Sequence, residues 1–333
     1  MVLHRHRIPG NNQVIGKRLQ RLIKGELLAA IAILSQFSDI LNPMNRRDFL
    51  KSTAAAALLS GAPLKAAPKL AATDWVTLGE SGVKVTRLAF GTGSNGGLIQ
   101  RELGQEGFNR LVRHAYDSGI RFFETAESYT GMPNMLATAL KGIPRDTYRL
   151  MTKIRGRNGI DTKLKIDEVR KALNTEYVDI LLLHCVRTKG WAEDFKFMRD
   201  EYDNAKSKKA ILSHGASCHG LLPLSDFPGQ KWLDVALLRI NHNGERMDNL
   251  QSEAAERGDV ARVTSQISKI HAQGTGIIGM KLVGEGRFKN REDRKKALQY
   301  VFGLGTVNAV TIGYKSAAEI DEAIENISFV STT

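Results

Sequence analysis

The chain has little cysteine and no long apolar run. Cys185 and Cys218 are the only cysteines among 333 residues, which excludes a disulfide framework and leaves room for one bridge at most. The apolar run from Ser52 to Ala62 is rich in alanine and too short to span a bilayer stably. A doubly wound sheet is the alternative architecture. Acidic residues are also short, 35 against 48 Lys and Arg, for a formal net charge of +13. That excess is uneven. Residues 1–72 hold eleven basic and three acidic residues, so +8 lies there and +5 is spread over the other 261. The remainder reads as a solvated surface that also helps draw in an anionic cofactor, and a nucleic-acid partner is not expected.

What is present is ordinary globular composition, 42% hydrophobic and 25% charged, enough for one large domain or two small ones. From Met44 the chain reads MNRRDFLKSTAAAALLSGAPLKAA: paired arginines, then Asp-Phe-Leu-Lys, then the mild apolar run. This order resembles a twin-arginine export signal, which implies a bacterial protein that folds, and can load a cofactor, before crossing the membrane with the twin-arginine machinery as partner. Forty-three residues precede Met44. Either they are a mis-called or disordered extension and Met44 is the start, or they are real and Gly25–Leu41 forms an amphipathic helix. Pro63 and Pro68 interrupt the alanines, so no clean small-x-small site appears. Cleavage is expected near residues 67–72, with retention as an uncleaved membrane tether as the alternative. The expected division is 1–43 extension, 44–72 signal peptide and linker, and 73–333 catalytic domain.

From Thr73 onward strand and helix alternate through eight units. The strands TRLAFGTG, IRFFETA, YRLMTKI, VDILLLHC, AILSHGAS, DVALLRIN, GIIGMKLV and AVTIGY are near-continuous apolar runs, as a parallel sheet covered on both faces requires. Between them, EGFNRLVRHAYDSG places Phe108, Leu111, Val112 and Ala115 on one helical face, and WAEDFKFMRDEYDNAKSK reads as a single helix. Eight units in about 250 residues give an α/β fold, a (β/α)8 TIM barrel. The leading WVTLGESGVKV, punctuated by Gly79 and Gly82, reads as an N-terminal β-hairpin at the barrel bottom. The polar stretch from Gly244 to Asp259 reads as a solvated lid over the mouth.

Such barrels carry their chemistry at the C-terminal ends of the strands. Glu124 and Tyr129 follow the second barrel strand, Lys153 ends the third and His184 the fourth. Reducing a carbonyl needs a proton at the oxygen as well as a hydride at carbon, and a tyrosine with its ordinary pKa of about 10 is a weak donor at neutral pH. A lysine cation would stabilise the phenolate, a carboxylate would position the lysine, and a histidine would orient the carbonyl.

The stretches LGESGVKVTRLAFGTG, FFETAESY, MTKI, LLLHC, GAS and IGYKSAAEIDEA together resemble the aldo-keto reductase family over residues 75–327. The resemblance implies a nicotinamide-dependent barrel that reduces an aldehyde or ketone, or oxidises the matching alcohol. Its acid-tyrosine-lysine-histidine set falls on Glu124, Tyr129, Lys153 and His184, with Tyr129 as proton donor. It implies cofactor contacts at Gly91 and Thr92, at Ser217, at Lys281, and at Gly313, Lys315 and Ser316, where a helix N-terminus with a lysine and a hydroxyl suits the extra phosphate of NADP better than NAD. A small-molecule carbonyl substrate and a monomeric chain are expected. Glu124 stands where the family has aspartate. Cys218 replaces the usual asparagine after Ser217, and Leu237 or Leu238 and Ile240 replace a glutamine and a stacking tyrosine. Those replacements leave a second reading open, an exported barrel that has lost turnover and serves as a binding protein. A third, less favoured, is a metal-dependent enzyme using His184, Cys185, Cys218 and His219 with His214 and His242.

Overall fold

The computed structural model describes residues 69–250 and 257–330. The extension, most of the signal and linker, and residues 251–256 of the expected lid lie outside the described residues. A two-stranded antiparallel hairpin comes first, β1 (Trp75–Thr77) and β2 (Lys84–Thr86). Then follow β3 (Leu88–Gly91), α1 (Leu98–Arg101), α2 (Gly104–Asp117), β4 (Phe122–Glu124), α3 (Met132–Leu140), β5 (Arg149–Arg155), α4 (Thr162–Ala172) and β6 (Val178–Val186). The chain continues through α5 (Trp191–Asp194), α6 (Lys196–Ser207), β7 (Ile211–Cys218), α7 (Leu221–Leu224), β8 (Val235–Arg239), α8 (Val260–Ala272) and β9 (Gly276–Met280). It ends with α9 (Arg291–Gly303), β10 (Ala309–Gly313) and α10 (Ala317–Ser328). Strands β3 to β10 close into an eight-stranded barrel, every pairing parallel and each strand beside its neighbour in sequence. The (β/α)8 barrel is therefore the fold.

Alternation along each strand divides the core in two. Ala89, Phe122, Met151, Ile180, Leu182 and Ile278 fill the barrel interior, and the opposite parity packs outward under the helices. The hairpin supplies Leu78, Val83 and Val85 to the interior cluster. Gly79 bridges Thr275, the residue before β9, so the hairpin closes the N-terminal end of the barrel. Gly79 sits at φ 51°, and a Cβ there would run into the Gly274–Gly276 backbone. Four of the longer helices begin on a side-chain cap: Asp161, Asp259, Asn290 and Ser316 accept from the backbone N–H three residues on, at 2.7–3.3 Å. Each cap is worth about 1 kcal/mol.

The structure corrects three sequence expectations. The single helix expected from Trp191 is broken into α5 and α6 at Phe195, whose backbone leaves the helical region at φ −108°. The ring of Phe195 packs on Gly156, where a Cβ would lie 2.7 Å from it. β9 ends at Met280, because Lys281 takes a left-handed backbone at φ 65°. The described start of the polar stretch is not solvated: Met247, Asp248 and Asn249 are buried. Asp248 is drawn in by the Gly220 N–H at 2.8 Å and by the Arg239 guanidinium at 3.2 Å. Burial raises its carboxyl to about 6.

Candidate active site

Strand register brings the four predicted catalytic residues to one end of the barrel. Gly313 pairs with Gly91, Gly91 with Glu124 and Glu124 with Met151; two residues further along β5 is Lys153. Arg155, two beyond Lys153, pairs with His184 on β6. Glu124 and Lys153 form a buried ion pair, 4% and 1% exposed. Lys153 also donates to the Thr125 carbonyl at 2.7 Å, and Thr311 donates to the second Glu124 oxygen at 3.3 Å. Burial pulls the Lys153 pKa down, and Glu124 opposes that pull.

Tyr129 lies at the rim of this pair. Its ring covers Lys153, with the ammonium 4.8 Å from the ring centroid, and meets the His184 ring edge to face at 5.5 Å. Gly93 makes room for it, since a Cβ there would be 2.6 Å from the Tyr129 hydroxyl. Lys153 was expected to depress the tyrosine pKa. Here the lysine's hydrogen bonds go to Glu124 and Thr125, and burial together with Glu124 and Cys185 raises Tyr129 well above its ordinary value. Tyr129 is consequently held in its protonated form. His184 is held neutral, its pKa driven down to about 2 by burial and then by Lys153, Arg155 and Arg187. Its Nδ1 lies 3.1 Å from the Ser128 hydroxyl. Ser128 and Thr311 escaped sequence reading; Ser128 was visible in FFETAESY as a hydroxyl next to the tyrosine.

From Tyr129 a groove leads outward. Its inner part, about 80 Å³, is lined by Gly91, Gly93, Glu124, Tyr129, Leu237 and Lys281. Its outer part, about 540 Å³, is lined by Lys289, Arg294, Lys315, Glu319, Glu322 and Asn326. Ser94, Val283, Glu285, Ile312 and Gly313 border both parts. A Cβ on Gly91 would approach Thr311 Oγ1 to 2.6 Å, and one on Gly313 would collide with Ser94, so both glycines keep the groove's wall thin.

Residues 87–202 match the aldo/keto reductase family. That segment runs from just before β3 into α6 and contains Glu124, Tyr129, Lys153 and His184. Residues 43–63 match the twin-arginine translocation signal sequence. The chain is 32% identical over 126 residues to "Probable aldo-keto reductase 1" of Glycine max, covering 34% of this chain and 36% of that protein. It is 35% identical over 118 residues to L-galactose dehydrogenase of Arabidopsis thaliana, covering 32% of this chain and 36% of that protein. The chain thus matches about a third of the length of these curated relatives. In fold it is similar to the aldo-keto reductase of Bacillus halodurans solved in its holo form, with a TM-score of 0.63 at 17% identity over 78% of this chain and 92% of that one.

The aldo/keto reductase segment stops before β7, and the expected cofactor positions beyond it fare unevenly. Lys281, Gly313 and Lys315 line the groove. Thr92 is buried between Gly91 and Gly93, with a hydroxyl that lacks a partner. Ser217 does not reach the groove: it is 1% exposed and its hydroxyl accepts from the Cys185 N–H at 2.7 Å. Ser316 caps α10, accepting from the Glu319 N–H at 3.3 Å, and Glu319 in turn accepts from the Lys315 N–H at 2.8 Å. Between Leu237 and Leu238, it is Leu237 that faces the barrel axis. Ile240 packs outward against Gly279, and Arg239 takes the inward side. Both cysteines are free thiols, and burial raises Cys218 far up. His214 is drawn away to stack on Trp232 at 4.4 Å, and His242 packs on Phe288. Among the described residues no group of three His, Cys, Asp or Glu could hold a metal.

Proposed function

We propose that the chain is an exported NAD(P)H-dependent oxidoreductase that reduces an aldehyde or ketone, or oxidises the matching alcohol. The observation that carries this reading is Tyr129 standing over a buried Lys153–Glu124 pair at the inner end of a groove that continues to α10. The outer part of that groove falls within the ~300–1,000 Å³ of ordinary ligand sites. The residues present fit a dinucleotide. Asn326 Oδ1 and the Tyr314 hydroxyl are buried on the lining without partners, as groups awaiting a polar ligand are. Lys281 and Glu285 would flank its middle, and Lys289, Arg294 and Lys315 would face its phosphate-bearing outer end, which favours NADP.

When bound, the nicotinamide supplies hydride. The protein's part is protonic and electrostatic. Protonated Tyr129 gives its proton to the carbonyl oxygen, and Lys153 under the ring offsets the charge left on the phenolate. With Nδ1 accepting from the Ser128 hydroxyl 3.1 Å away, neutral His184 would carry its own proton on Nε2 and present it to the same oxygen. The signal match supports export through the twin-arginine route to the periplasm, with the cofactor loaded before crossing.

One observation favours the binding-protein reading: at the barrel axis Leu237 offers no polar group, Ser217 is spent on Cys185, and the space there is only about 80 Å³. Titrating the full chain with NADPH and with NADH, followed by protein fluorescence, separates the two. Saturable quenching with turnover of a carbonyl panel supports the oxidoreductase. A folded protein that binds neither nucleotide returns the barrel to the binding-protein reading.

A further inference from the structure

The segment that leaves β9 forms one side of the groove, and the segment that leaves β8 is tied to it. Asn241 joins their bases: its Nδ2 donates to the Glu245 carbonyl at 2.7 Å and to the Lys281 carbonyl at 3.1 Å. Two ion pairs of opposite sense join them further out, Arg246 Nε with Glu285 at 3.5 Å and Arg287 with Glu245 at 3.1 Å. The base of the β9 segment is therefore fixed.

Its tip is built differently. Gly284, Glu285 and Gly286 take left-handed conformations in a row, at φ 57°, 56° and 84°. Glycine adopts that region without strain, so the strain falls on Glu285. A strained residue persists only where its surroundings hold it. Here the hold is ionic. One Glu285 oxygen meets the Lys281 ammonium and the other faces Arg246. Burial works to raise the Glu285 carboxyl, but Lys281, then Arg246 and Arg239, outweigh it and keep it below its ordinary value. Glu285 is thus a carboxylate at neutral pH.

This contact stands where a dinucleotide needs the opposite charge. Among the described residues one cation, Lys281, lines the inner part of the groove, and Glu285 borders both parts. A diphosphate lying where the two parts join meets a lysine already neutralised and a carboxylate beside it. Like charges at such a distance in a partly buried site repel appreciably.

We propose that Glu285 is an internal competitor of the nucleotide: it holds the Lys281 ammonium, and the diphosphate binds by taking that ammonium from it. This rests on the oxidoreductase reading above and deepens it. Lys281 passes from a carboxylate to a phosphate oxygen, Glu285 keeps Arg246, and no covalent bond forms or breaks. The two glycines let the tip turn aside once the contact opens. NAD and NADP share the diphosphate, so the competition lowers the affinity of both alike.

The test measures nucleotide binding by the full chain as wild type, Glu285→Gln and Glu285→Asp. NADPH and NADH are titrated by protein fluorescence, and association and dissociation rates are followed by stopped flow. Glu285→Gln keeps the length and removes the charge. It should tighten both nucleotides by the same factor, about tenfold, the effect of lifting one like charge from a partly buried site. The gain should appear as faster association, because the lysine is then already released. Glu285→Asp keeps the charge and should stay nearer the wild type than Glu285→Gln does.

Weaker binding of both nucleotides by Glu285→Gln, carried by faster dissociation, makes Glu285 a direct ligand of the nucleotide and overturns the proposal. Unchanged affinity overturns it as well. So does tightening of NADPH alone, which places the effect at the outer phosphate. Binding of neither nucleotide by any of the three folded proteins sinks the oxidoreductase reading, and the proposal with it. The Glu285 side chain is 28% exposed and glutamine has nearly the same volume, and circular dichroism of each variant confirms that it folds.

Discussion

The Lys153 ammonium lies under the face of Tyr129, 4.8 Å from the ring centre, and spends its hydrogen bonds on Glu124 and the Thr125 carbonyl. A cation in that position adds little to the acidity of the resting phenol, whose pKa burial raises, yet it is in place to receive the negative charge once the proton has left. Resting protonation and charge acceptance are thus assigned to different features of the same contact.

Tyr129→Phe removes the proposed proton donor and keeps the ring. Turnover should fall by about 10²–10⁴-fold, the range of general acid catalysis. The nucleotide dissociation constant, read by fluorescence, should move less than twofold.

Lys153→Met leaves Glu124 buried without its cation. The cost in stability should be about 3–5 kcal/mol, read from urea denaturation. Adding Glu124→Gln should recover part of it, because the orphaned charge is then gone. A double variant no more stable than the single one would argue against the pair as the source of the loss.

His184 is neutral in the folded state down to about pH 2, whereas in the unfolded chain it protonates near its ordinary 6.5. Between those values the unfolded state binds the extra proton, so stability falls as pH drops from about 6.5 toward 2, by up to ~1.4 kcal/mol per pH unit from this one group. Urea midpoints from pH 7 to pH 4 should decline less steeply in His184→Gln than in the wild type.

Ser217→Ala should leave nucleotide affinity unchanged and destabilise the fold by about 1–3 kcal/mol, the penalty for stripping the Cys185 N–H of its acceptor. Loss of nucleotide affinity without loss of stability would restore the cofactor role expected from the sequence.

Lys315→Ala should weaken NADPH several-fold and NADH hardly at all. Glu319→Gln should strengthen NADPH, because it takes an opposing carboxylate away from the Lys315 N–H at the start of α10. Competitive titrations of the two nucleotides report both.

The barrel was legible because its strands are apolar throughout, and Glu124, Tyr129, Lys153 and His184 were legible because each follows such a run. The same continuity concealed direction. In DVALLRIN nothing marks which residues face the axis, so Ile240 read as a groove residue although it packs outward and Arg239 turns in. Ser217 was misplaced for a different reason: its partner is a backbone N–H bared by the left-handed turn at Cys185, and backbone conformation leaves no trace in side-chain pattern. The polar composition of Gly244–Asp259 suggested exposure, but Asp248 is buried by a partner, Arg239, on the preceding strand.

The hairpin carrying Leu78 across the N-terminal end of the barrel makes that barrel a cup closed at its base. The groove beside Tyr129 lies at the opposite end, so whatever reaches Tyr129 arrives and leaves by the same side.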